Sequence, residues 1–117
     1  MENNTQLQEI LDLVLEMKAE NVVTINTGAD SPVADWLVIC EGGSFTHVAA
    51  IADRVRKYFK QTAGMLPYHM EGADASRWIL LDYTDIVLHV MLPELRNYYN
   101  LEELWSDYPQ KSITDEA

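Results

Sequence analysis

Asp35-Trp-Leu-Val-Ile-Cys40, followed by Glu41-Gly-Gly-Ser44 and then by Val48, Ile51, Ala52, Val55, Tyr58 and Phe59 at helical spacing, decides the fold of this chain. The first segment is apolar at successive positions rather than alternate ones. A strand of that kind is covered on both faces and so lies at the centre of a sheet. The stripe after Ser44 predicts a long amphipathic helix, ended by Gly64. A long helix between a central strand and the next strand implies a right-handed parallel crossover.

Working outward, Leu7, Ile10, Leu11, Val14 and Leu15 predict an N-terminal amphipathic helix, with a capping box from Thr5 to Gln8. Residues 22–27, rich in β-branched side chains, read as a strand, and residues 28–32 as a turn. Beyond the long helix, residues 66–70 predict a short strand and residues 71–76 a loop. Residues 77–82 and 85–91 are joined so tightly that they form an antiparallel hairpin. Pro93 stops that ladder, and residues 94–100 and 101–105 read as short helical pieces. The expectation is an α/β protein, with a mixed five-stranded sheet packed with helices. Residues 1–106 form its single domain, and residues 107–117, which lack periodicity, form an acidic, flexible tail.

The 117 residues, 48% hydrophobic, fit one domain with one core and exclude intrinsic disorder as the main state. No apolar run approaches the roughly 18 to 20 residues of a membrane span, and Met1-Glu2-Asn3-Asn4 has no secretory or organellar character. A cytoplasmic protein without a membrane partner is expected. Cys40 is the single cysteine, so disulfides and cysteine-rich zinc sites are excluded. Nineteen acids against eight bases give a net charge of −11, which opposes direct nucleic-acid recognition and makes a basic protein the default partner. Half of the bases, Arg54, Arg56, Lys57 and Lys60, fall on one helix face, read as solvated.

Gly42-Gly43-Ser44, at a helix start, is the best candidate for enzymatic chemistry, because such a turn presents free N–H groups to an anion. It lacks a P-loop lysine, and no Asp-x-Asp pair exists to hold magnesium. His47, His69 and His89 have no metal spacing; His47 reads as a capping or packing residue, and His89 as a hydrogen-bonded core histidine. Ser44 with His47 lacks the elbow of a hydrolase. No catalytic residue, metal or cofactor is expected. In the strand 77–82, Trp78, Leu80 and Asp82 share one face while Ile79, Leu81 and Tyr83 share the other. Trp78 therefore has two readings, an interface anchor beside acids or a core residue under a helix. Tyr98, Tyr99, Leu101, Leu104 and Trp105 are too apolar for a free tail, so they wrap back on the sheet or extend a contact surface.

Taken in order, Asp35-Trp-Leu-Val-Ile-Cys40, His47-Val-Ala-Ala-Ile-Ala-Asp53, Glu71-Gly72 before Trp78, Leu81-Asp82-Tyr-Thr-Asp85-Ile-Val-Leu-His89-Val, Pro93-Glu-Leu-Arg96 and Tyr99-Asn-Leu101-Glu-Glu-Leu104-Trp105 resemble the ribosomal silencing factors, or Iojap-like proteins. The succession spans nearly all of residues 5–106. Thr84 stands where that family usually has glycine, and Phe45-Thr46 where it commonly has Ser-Arg or Asp-Arg. The resemblance implies a nucleotidyltransferase-like fold without catalytic acids and no enzymatic activity. It also implies binding to a basic protein, numbered fourteen, of the large ribosomal subunit. Joining of the small subunit would then be blocked and translation slowed as nutrients fall. Together with the aromatic pattern it assigns partner binding to Trp78, Leu80, Asp82, Tyr83, Asp85, Met91, Tyr98 and Tyr99, in a monomer or weak homodimer. The alternative is a small nucleotide-binding module or nucleotidyltransferase using Gly42 to Ser44.

Overall fold

The structure, a computed structural model, describes residues 2–28 and 34–113. The elements are α1 (Glu2–Glu16), β1 (Glu20–Asn26), β2 (Trp36–Glu41), α2 (Phe45–Ala63), β3 (His69–Glu71), β4 (Trp78–Asp82), β5 (Ile86–Met91), α3 (Pro93–Tyr99), α4 (Leu101–Leu104) and β6 (Gln110–Ile113). The strands form one mixed sheet in the order β3-β4-β5-β2-β1-β6.

β2 sits inside this sheet, parallel to β5 and antiparallel to β1, and Leu37 through Glu41 are all buried. Its continuous apolar run reflects cover on both faces, as the sequence predicts. Val38 and Cys40 join the core beneath α1 and α2, with Ile79 and Leu81 of β4 and Ile86, Leu88 and Val90 of β5. Leu37 and Ile39 join a smaller core on the opposite face with Ile25, Val87 and Met91, packed by Leu95, Leu101 and Trp105 from the C-terminal helices.

α2 starts where Ser44 accepts a hydrogen bond from the His47 N–H, and ends at Gly64, whose N–H returns to the Lys60 and Phe59 carbonyls. Val48, Ile51, Ala52, Val55 and Phe59 are its buried stripe. Each large side chain among them contributes about 1.5–3 kcal/mol of burial, which fixes α2 across β4 and β5. β3 runs in the same direction as β2, so the helix does connect parallel strands. The two are not neighbours, however, because the β4–β5 hairpin is inserted between them.

Three expectations change. The sheet has six strands rather than five, because Gln110–Ile113 pairs antiparallel with β1 (Val22 opposite Ile113), and that strand lies inside the segment expected to be a free tail. Residues 114–117 lie outside the described residues, as do residues 29–33, on which most of the expected 28–32 turn falls. Thr5 does not cap a helix, since α1 is already under way at Glu2.

The β4–β5 hairpin closes through Tyr83 N–H to the Ile86 carbonyl (2.9 Å) and Asp85 N–H to the Tyr83 carbonyl (2.9 Å). Thr84, between them, has φ 76°, in the left-handed region. The turn is as tight with threonine as a glycine would make it, at a cost in strain, since Cβ crowds the following carbonyl there. The Asp82 carboxylate offsets part of that cost by accepting the Thr84 N–H at 2.7 Å. Thr84→Gly is therefore expected to stabilise the domain by about 1 kcal/mol, read as a higher urea midpoint; a lower midpoint would contradict the assignment of strain.

Candidate functional site

The side of the sheet that carries the smaller core is covered only in part. α3 and α4 pack Leu95, Leu101 and Trp105 over Met91, Leu37 and Ile39, while Trp78 and Leu80 on β4 remain half-buried. Trp78 lies opposite Met91 and Leu80 opposite His89, so Trp78 and His89 are diagonal neighbours on one face. The Trp78 Nε1–H donates to His89 Nδ1 at 3.0 Å. From Trp78 the aromatic surface steps outward, with ring centroids 5.0 Å apart to Tyr99 and a further 5.0 Å, edge to face, from Tyr99 to Tyr98. Exposure rises along this ladder, from half-buried Trp78 to Tyr99 at 51% and Tyr98 at 80%. Trp78 is thus intermediate between its two readings, with one side against the smaller core and the other open.

Gly72 holds the loop that leads into β4. It has φ 88°, and a Cβ there would meet the Trp78 carbonyl oxygen at 1.9 Å. Only glycine fits beneath that strand start.

Of the eight residues assigned to partner binding, the structure brings Trp78, Leu80, Tyr98 and Tyr99 to this face. Asp82, half-buried, is on the same side of β4, with one oxygen committed to the hairpin turn, and Asp85 is exposed at the hairpin end. Two assignments are corrected. Met91 is fully buried in the smaller core and supports Trp78 from below. Tyr83 follows the alternation of Ile79 and Leu81 to the opposite side, where it is 7% exposed and its ring lies 5.3 Å from that of Phe59. Neither side chain is presented on the open aromatic face.

The Tyr83 hydroxyl is the buried side-chain polar atom left without a hydrogen-bond partner among the described residues, and burial raises its pKa to about 12. An orphaned buried hydroxyl costs about 1–3 kcal/mol. Tyr83→Phe should accordingly raise stability by about 1 kcal/mol or more, measured by urea unfolding, and a loss of stability would mean that the hydroxyl has a partner in solution.

His89 is 9% exposed, and its burial lowers its pKa to about 4. Its ring is therefore neutral, with Nδ1 accepting the indole proton and Nε2 carrying its own. The expected hydrogen-bonded core histidine is present, and its bonding partner is the tryptophan of the site.

Sequence reasoning missed Arg96. On α3, one turn before Tyr99, it is 5% exposed. Its Nη2 lies 2.6 Å from Glu102 Oε2 and its Nη1 3.5 Å from Glu41 Oε2, and Nη1 also donates to the Asn21 carbonyl. Glu41 in turn accepts from Asn21 Nδ2 at 3.0 Å. The cluster, one guanidinium between two carboxylates, lines a recess of about 540 Å³ and ties the helix that carries the tyrosines to β1 and β2.

The glycines of the alternative phosphate site are engaged within the fold. Gly42 N–H is bonded to the Met91 carbonyl (3.0 Å) and Gly43 N–H to His47 Nδ1 (3.0 Å), while the Ser44 hydroxyl caps α2. Both glycine N–H groups of the turn are thus committed within the fold. A Cβ on Gly42 would meet Val48 N at 2.8 Å, so close helix packing accounts for that glycine. His47 Nε2 lies 2.8 Å from the Met17 carbonyl, joining α2 to the end of α1, which bears out its packing role. Cys40 is buried, and desolvation pushes its thiol up to about 12, out of nucleophilic range. Among the described residues no cluster of three or more metal-ligating side chains occurs, and no helix is long and apolar enough to cross a membrane.

The fold is thus a mixed α/β domain whose glycine turn is engaged internally and whose sheet face carries a half-open aromatic ladder. Comparison with known proteins gives the particular family. Residues 1–117 match the family described as ribosomal silencing factor during starvation. The ribosomal silencing factor RsfS of Halalkalibacterium halodurans is 41% identical over 109 residues, 93% of this chain and 92% of that protein. A mouse protein, mitochondrial assembly of ribosomal large subunit protein 1, is 32% identical over 99 residues, 83% of this chain and 43% of its own length. The crystal structure of a Chromobacterium violaceum protein superposes with a TM-score of 0.84 at 27% identity, covering 100% of this chain and 97% of that one. The chain belongs to the ribosomal silencing factor family, whose members are regulatory and non-enzymatic, in agreement with the sequence resemblance.

Proposed function

We propose that this chain silences translation in the cytoplasm by docking its half-open sheet face on the basic protein numbered fourteen of the large ribosomal subunit, which sterically blocks joining of the small subunit when nutrients are limiting. The observation that carries this reading is the Trp78–Tyr99–Tyr98 ladder, left uncovered on a chain of net charge −11. Aromatic side chains that are anchored on one side and open on the other are the usual energetic centre of protein interfaces. A chain of that net charge repels RNA and is attracted to a basic protein. The family name gives the ribosome as target, and the name of the mouse relative associates that protein with the large subunit.

Trp78→Ala should weaken binding to purified large subunits by about 2 kcal/mol or more, with thermal melting recorded on the same sample. Lost binding by a folded variant supports the docking face. A folded variant that binds as the wild type does would remove Trp78 from the interface.

A further inference from the structure

We propose that His89 is the positioning residue of this docking face, holding the Trp78 indole in the orientation in which it meets the large subunit; the inference rests on the docking reading above and gives it a named control point.

The face needs such a device. Trp78 is half-buried at the start of β4, next to a loop, and cover from the smaller core reaches one side of it. Ring packing against Tyr99 is of little help on its own, because Tyr99 is itself 51% exposed and is backed by a Tyr98 that is 80% exposed. Stacking limits tilt but leaves the indole free to turn over. A hydrogen bond from Nε1 distinguishes the two edges of the ring, and the 3.0 Å bond to His89 Nδ1 is the one the structure provides. His89 can hold it because it is fixed in the interior of β5, between the parallel strand β2 and the antiparallel strand β4, and opposite Ile39 and Leu80. Its exposure is 9%, and its ring centroid stands 5.8 Å from that of Trp78. The bond thus runs from a rigid sheet position to a side chain at the rim, the arrangement by which a supporting residue holds a contact residue in its bound geometry. Without it the indole would lose its orientational freedom on docking rather than before, and affinity would fall by that entropy.

Two variants separate positioning from packing. His89→Asn keeps an acceptor, Oδ1, near the place of Nδ1, whereas His89→Leu fills similar volume without one. Trp78→Phe, which keeps a ring in the slot and removes the donor, makes the same comparison from the other side should the leucine not be tolerated. The readouts are hydrogen exchange of the Trp78 indole N–H by nuclear magnetic resonance in the free protein, and the dissociation constant for purified large ribosomal subunits. Expected is slow indole exchange in the wild type and His89→Asn, with binding within about threefold of each other, and fast exchange in His89→Leu with binding weakened roughly tenfold. The leucine change should then weaken binding less than about twofold in a Trp78→Phe background, where no donor remains to be oriented. Fast indole exchange in the wild type, unchanged binding by His89→Leu, or an equal loss in both backgrounds would overturn the positioning role. If the wild type shows slow exchange yet does not bind large subunits, the docking reading itself is overturned, and the hydrogen bond has no functional consequence.

Discussion

Arg96→Met is expected to lower the unfolding free energy by about 3–5 kcal/mol, the largest effect of any single change considered. The side chains of Arg96 and Glu41 are 6% and 10% exposed, so removing the guanidinium leaves the Glu41 carboxylate in the interior with only the Asn21 amide. Glu102, at 27%, can turn to solvent, but Glu41 cannot. The cost lies in the stranded charge rather than in a lost attraction, and that distinction can be measured. Adding Glu41→Met to Arg96→Met removes the stranded charge and should recover at least half of the loss. Urea denaturation of the two variants is sufficient. A single variant within 1 kcal/mol of the wild type (roughly the worth of an exposed pair) would mean that the cluster is solvated.

Acid should destabilise the domain through His89 by about 3 kcal/mol between neutral pH and pH 4. In the unfolded chain His89 has the ordinary histidine value of 6.5, and in the fold burial holds it at about 4. Below 6.5 the unfolded chain takes up the proton while the folded chain does not, so stability falls with pH from 6.5 down to about 4, and this contribution is lost in full only below the folded value. Carboxylates titrate in the same window, which is why the comparison must be made against His89→Asn, where they are unchanged. The difference between the two stability profiles should be flat above pH 7 and widen towards pH 4. A difference independent of pH would mean that His89 titrates normally in the fold.

Much of the fold is legible because its signals are local. The run Leu37 to Cys40 needs cover on two sides, and the Val48-to-Phe59 stripe, with Ser44 before it and Gly64 after it, contains its own start and stop. β6 is different. Gln110-Lys-Ser-Ile113 has no alternation, only Ile113 is half-buried, and the strand exists because β1 offers it a free edge. The site divides in the same way. Period-two alternation places Trp78, Leu80 and Asp82 together, and the same alternation sends Tyr83 to the far side, so its assignment to the interface went against the local signal. Met91 pairs with Trp78 in the ladder and is covered by α3 and α4, a packing event invisible in β5 alone. The link between Trp78 and His89 follows from the hairpin register once the turn at residues 83–85 is fixed. Arg96 stands in the Pro93-to-Arg96 segment of the family resemblance, but its buried ion-pair role had no readable signal, because its partners Glu41 and Asn21 lie on strands that only the tertiary fold brings to it.

The measurement that bears most directly on the central claim is cosedimentation of the purified protein with large subunits, small subunits and joined ribosomes. The account predicts association with large subunits alone, since the proposed binding site on the large subunit is obstructed once the small subunit has joined. Association with small subunits, equal association with joined ribosomes, or none with large subunits would contradict it.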